Sequence, residues 1–153
     1  MTNNYLLAEF TANQIFAFCS QLAMLGWLIL ILLPRGLKLI NFIPLYLIPF
    51  TISSIYSVLI FKTFFTVDGG FSSLTDVRLL FQNDGALLAG WVHYLAFDLF
   101  IGGWIAKKCD ELKISRIIQT PILIATFMLG PIGLALFLMI RSTTRLVEEP
   151  QNA

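Results

Sequence analysis

Two side chains stand out for the chemistry they could do where they lie. His93 and Asp98 fall in the run Trp91-Val92-His93-Tyr94-Leu95-Ala96-Phe97-Asp98, inside a long apolar stretch. Ionisable groups are costly in such a stretch, so each is a candidate for function. An imidazole and a carboxyl can supply the donor and the acceptor that proton-transfer chemistry needs. A carboxyl at that depth favours its neutral form unless something pairs with it. Helical geometry restricts the pair further. Five residues at about 100° each set them about 140° apart around the axis. An ideal helix would not hydrogen-bond them to one another. Trp91, Tyr94, Asp98 and Gly102 share one stripe, whereas His93 points nearer to Phe97 and Trp104. A site using both must wrap around this helix, with groups from other elements completing it. Otherwise the two face different neighbours.

The elements that must position them are apolar as well. Of 153 residues, 58% are hydrophobic and 12% are charged, about half the charged share of a soluble domain. A soluble fold of this size could not hide that much apolar surface, so the expected solvent is lipid. The sequence predicts a single all-α membrane domain over 1–153, a bundle of four transmembrane helices. The spans run over about 14–33, 43–65, 84–106 and 120–140, each long enough to cross about 30 Å of hydrocarbon. The fourth begins at Thr120-Pro121, which suits an N-cap and first helical position. Between spans two and three, Ser73-Leu74-Thr75-Asp76 fits a capping box, and Leu74, Val77, Leu80 and Phe81 share a face. That predicts a short interfacial amphipathic helix, a connector or a lid.

Other spans bring polar groups to similar depth. Gln14, Ala17, Gln21 and Met24 line one face of span one, and Tyr46, Phe50, Ser53 and Ser57 line one face of span two. Span four carries Thr126 and Gly130-Pro131-Ile132-Gly133. Pro131 cannot donate to the carbonyl of Phe127, and a freed carbonyl survives inside protein or beside a cavity. Gln21, Ser57 and His93 are expected near one level and Asp98 and Thr126 near another, a polar layer at the bundle centre. The candidate substrate-binding residues are Gln21, Ser57, Trp91, Tyr94 and Thr126. For the hydroxyls the plainer role is to bond one helix to another.

Several classes drop out. One His and two separated cysteines make a metal site improbable. Cys19 in span one and Cys109 in a loop at the opposite face are too far apart to bridge. No Gly-rich phosphate loop and no Gly-x-Ser-x-Gly elbow occurs, and no cofactor is expected. A net charge of +1 gives no reason to expect a nucleic-acid partner. Met1 to Asn13 carries no Lys or Arg, which argues for a retained first span over a removable signal, in a bacterial plasma membrane by default. Four spans put both termini on one side. Arg35, Lys38, Lys107, Lys108, Lys113 and Arg116 then face Lys62, Arg78, Arg141 and Arg145 across the membrane. That imbalance leans toward termini outside.

Three segments carry a resemblance: Phe71-Ser72-Ser73-Leu74, the stretch from Ala86 through Trp91-Val92-His93-Tyr94-Leu95-Ala96-Phe97-Asp98 to Gly102, and Gly130-Pro131-Ile132-Gly133-Leu134. They resemble the neoxanthin synthase-like family, that of the plant abscisic-acid-deficient-4 membrane protein. The likeness covers most of the chain. Without the plastid-targeting extension of the plant proteins, the chain looks like a bacterial member. The resemblance implies a four-span protein tied to conversion of violaxanthin into neoxanthin, an isomerisation that opens an epoxide while a proton leaves the neighbouring polyene carbon. Such a step needs an acid and a base and no redox cofactor. His93 and Asp98 would take those roles in either order. The expected substrate is a carotenoid or related isoprenoid lipid. The alternatives are a carotenoid- or lipid-binding accessory protein without catalysis, or a structural subunit. A homo-oligomer or a membrane enzyme partner stays open.

Overall fold

The computed structural model describes residues 11–36, 38–63 and 66–148, without the side chains of 38, 39 and 143–148. The N-terminal stretch to residue 10 and the last two residues expected in span two, Phe64 and Phe65, lie outside the described residues. Every regular element among those described is helical.

Helix α1 is Ala12–Leu32. Thr11 caps it: its hydroxyl accepts from the Gln14 N–H while Gln14 Oε1 accepts from the Thr11 N–H, a capping box. Gln14 therefore serves the helix start. Helix α2 (Lys38–Phe42) runs through a π-helical turn, Ile43–Leu47, into α3 (Ile48–Thr63). Pro44 and Pro49 explain the wider turn, because neither has an N–H to give the α-helical ladder; Ile48 N–H reaches back to Ile43 instead. Helix α4 (Leu74–Leu80) carries the expected cap, with the Ser73 hydroxyl accepting from Asp76 N–H. Its Leu74 is exposed, as suits an interfacial helix. Helix α5 (Asp84–Glu111) begins at the Asn83 cap and runs five residues past the expected end of span three. Cys109 is thus buried in its last turns and does not sit in a loop.

Three of these helices, Ala12–Leu32, Ile40–Thr63 and Asp84–Glu111, are long and apolar enough to cross a membrane. α5 is the central one, packed against α3, α1 and α6. Small residues let the helices close on it. The Trp27 ring of α1 lies against Gly102, and Leu45 lies over Gly103, where any Cβ would collide.

The expected fourth span is two helices. Helix α6 (Arg116–Leu129) starts at Ser115, so Thr120 and Pro121 lie inside it and do not begin it. The chain then breaks at Gly130, whose φ of 40° falls in the left-handed region. Helix α7 (Pro131–Glu148) does not continue the path; it folds back. A Cβ on Gly133 would fall 2.5 Å from Thr126 Cα, whereas seven residues of straight helix would separate the two by about 10 Å. Further along, the Phe137 ring packs edge-on against Trp104 at 5.3 Å, and Arg141 comes within electrostatic reach of Glu111. α6 and α7 therefore form a helical hairpin whose tip stands beside the middle of α5 and whose two ends return to one end of the bundle. Trp104 of α5 is thus the hairpin's packing partner.

This changes the sidedness read from sequence. Of the ten Lys and Arg, Lys62 and Arg78 lie at the end of the bundle near α4. The remaining eight, now including Arg141 and Arg145, lie at the other. A cluster ties that end together. Arg35, with its side chain 6% exposed, lies 3.2 Å from Asp110 and donates to Gln119 Oε1. Gln119 in turn donates to Asp110 at 3.0 Å and to the Ile114 carbonyl at 2.7 Å. Burial pulls the Arg35 guanidinium below the usual arginine range, and the Asp110 carboxylate opposes that pull.

Candidate functional site

α5 places its two candidate groups on different sides, as the 140° separation requires. His93 stacks on Phe97 at 4.5 Å and meets the Tyr56 ring of α3 at 5.3 Å. It lies at the wall of an apolar cavity of about 290 Å³ between α3, α5 and the α4 segment, with Phe71, Leu80 and Phe81 on the far side. The end of the amphipathic helix, at Leu80, therefore forms part of the wall of the His93 cavity.

Asp98 faces the hairpin. A Cβ on Gly130 would stand 2.9 and 3.0 Å from its two carboxylate oxygens, closer than van der Waals contact allows. Oδ2 is buried and has no hydrogen-bond partner among the described residues. One turn before it on α5, the Tyr94 hydroxyl is close enough to interact with the carboxyl. The stripe continues upward. Trp91 lies against Tyr94 at 5.5 Å, stacks on Phe16 at 5.6 Å and donates from Nε1 to Ser20 Oγ at 3.1 Å. Because the hairpin stops at Asp98, Phe16, Leu87 and Trp91 stay exposed above it. A cavity of about 360 Å³ opens there between α1 and α5. That cavity is lined by residues 12–16 and 84–91, at the start of α1 and α5; Tyr94 and Asp98 follow one and two turns deeper, with Asp98 about 20 Å from either end of α5 by helical rise.

The other expected contributors do not join these residues. Gln21 is exposed on α1. Ser57 is exposed on α3, its hydroxyl donating to the Ser53 carbonyl one turn back. Thr126 is fully buried, donates to the Ile122 carbonyl and packs under Gly133, so no face of it is left for a ligand. The polar layer expected at the bundle centre does not form. Tyr94 neighbours Asp98, and Trp91 neighbours Tyr94 one turn further along the same stripe of α5. Sequence reading missed Ser20, whose partner Trp91 is 71 positions away. Among the described residues no three His, Cys, Asp or Glu side chains converge.

The segments that build both faces of α5 and the hairpin tip lie within residues 14–137, and this whole stretch matches the ABA DEFICIENT 4-like family. The chain belongs to that family. No curated protein and no solved structure matches the chain. Membership in the ABA DEFICIENT 4-like family covers α1 through Phe137, so the fold-back of α7 onto Trp104 falls inside the region matched.

Proposed function

We propose that this protein is an intramembrane, cofactor-free isomerase acting on a carotenoid or related isoprenoid lipid, with the reaction at Asp98 and Tyr94. The observation that carries this reading is the neighbouring carboxyl and phenol at mid-depth of α5, one to two turns below an aromatic cavity at Phe16 and Trp91. Flat aromatic walls at Phe16 and Trp91 suit a polyene or a terpenoid ring.

The chemistry closes on itself. The Tyr94 hydroxyl gives its proton to an epoxide oxygen as the C–O bond opens. Asp98, as carboxylate, takes the proton from the neighbouring polyene carbon, and that C–H pair becomes the new double bond of an allene. The proton then passes from Asp98 to the Tyr94 phenolate, restoring both groups. No proton and no electron is gained or lost, so neither a redox partner nor a water is required. Acid and base must reach adjacent atoms of one substrate, which favours two groups one turn apart. His93, across the helix with Tyr56, is assigned to the other cavity.

A second reading is binding of a carotenoid-like lipid without turnover. It is favoured by the His93 cavity, which is apolar on nearly every side and contains no carboxyl. Expression in a host that makes violaxanthin separates the two. Turnover yields a new pigment of unchanged mass that is absent from the empty host. Co-purified, unchanged pigment with no new isomer would support binding alone and sink the isomerase.

A further inference from the structure

The Arg35 cluster leaves hydrogen-bonding capacity unused at the end of the bundle. Arg35 is more than nine-tenths buried, yet Nε and Nη1 make no hydrogen bond among the described residues; Nη1 has only its ion pair to Asp110. Asn41 donates to the Arg35 carbonyl at 2.7 Å, but its Oδ1 is buried without a donor. Buried polar atoms are rarely left this way, and three in one place point to an absent partner. They border a cavity of about 250 Å³, with Lys107 and Asp110 beside them and Phe42, Leu45 and Tyr46 as its apolar wall.

We infer that this cavity is a binding site for the headgroup of an anionic glycerophospholipid whose headgroup carries a hydroxyl. The charge balance favours an anion. Asp110 offsets one cation, Lys107 has no salt bridge among the described residues, and Arg116 acts on Arg35 from the next helix. A phosphodiester accepts from Arg35 Nε and from Lys107, a geometry guanidinium and ammonium groups serve well. A headgroup hydroxyl supplies the donor that Asn41 Oδ1 lacks. The seat for an acyl chain is continuous with the headgroup site. Leu45 and Tyr46 also border a second, lipid-facing groove of about 330 Å³, which runs between α3 and α5 past Phe50 and Phe97. The site lies at the Lys/Arg-rich end of the bundle, where the anionic leaflet surface is expected.

The test is native mass spectrometry of the full chain in a neutral detergent, titrated with phosphatidylglycerol, phosphatidylcholine or inorganic phosphate. Phosphatidylglycerol is expected to bind at one site about tenfold more tightly than phosphatidylcholine. Lys107→Glu, a change at an exposed position, should remove about tenfold of that affinity. Asn41→Leu should weaken phosphatidylglycerol and leave phosphatidylcholine unchanged. Millimolar inorganic phosphate should not displace the lipid; displacement would assign the site to free phosphate and overturn the headgroup. Equal binding of both lipids, unaffected by Lys107→Glu, would overturn the site. None of these readouts depends on turnover at Asp98.

Discussion

Gly130 and Asp98 meet at the centre of the molecule: a Cβ on the glycine would stand 2.9 Å from Asp98 Oδ1. The break that turns the chain back is thus also the surface that closes the lower side of the carboxyl. Two demands fall on one residue, a left-handed backbone at φ 40° and the absence of a side chain.

Gly130→Ala is therefore expected to act twice. The backbone strain should destabilise the protein by about 1–2 kcal/mol, and the added methyl should displace the carboxyl and depress turnover. Thermal unfolding in detergent, read beside product formation, checks both. Unchanged stability and turnover would mean that the hairpin tip is elsewhere.

The hairpin is anchored at Phe137, fully buried against Trp104. Truncation to Ala should cost about 3 kcal/mol, in the range of buried aromatic deletions. The expected sign is a lower unfolding temperature together with easier proteolysis after residue 130. A neutral effect would argue that α7 is not packed on α5.

Because α7 returns to the end where α6 began, the two termini should lie on opposite membrane faces. From the eight Lys and Arg at the α7 end, that face is predicted to be the cytoplasmic one. In right-side-out vesicles, protease should remove an N-terminal tag and spare a C-terminal one. Removal of both tags would restore a fourth complete span.

His93 stacks on Phe97 in a cavity that Asp98 does not reach. His93→Ala should leave turnover within about threefold, since loss of a true acid or base costs about a hundredfold or more. Parallel rate measurements on the variant and the parent decide this. A hundredfold loss would move the chemistry to the α3 side.

Much of this arrangement was legible in sequence. The three long spans follow from long apolar runs, the start of α4 from Ser73 and its spacing to Asp76, and the two-faced character of α5 from the 100° step between residues. The hairpin was not. Gly130-Pro131 reads the same in a kinked span as in a reversal, because the deciding contacts are tertiary: Gly133 lying on the Thr126 backbone, and Phe137 on Trp104. The Arg35, Gln119 and Asp110 cluster escaped for a like reason. Arg35 and Gln119 are 84 positions apart, and no local spacing joins them. Thr126 looked like a candidate ligand because a hydroxyl at mid-depth has two uses, and sequence could not show that its own helix and Gly133 claim it.

The central claim is that Asp98 and Tyr94 together move the proton. The most direct measurement is isomer production from an epoxycarotenoid in membranes carrying the parent chain, Asp98→Asn or Tyr94→Phe, at matched protein levels. The account predicts product from the parent and a loss of about a hundredfold or more in each variant. Pigment should still be retained by all three proteins. Parent-like product formation by Asp98→Asn would contradict it.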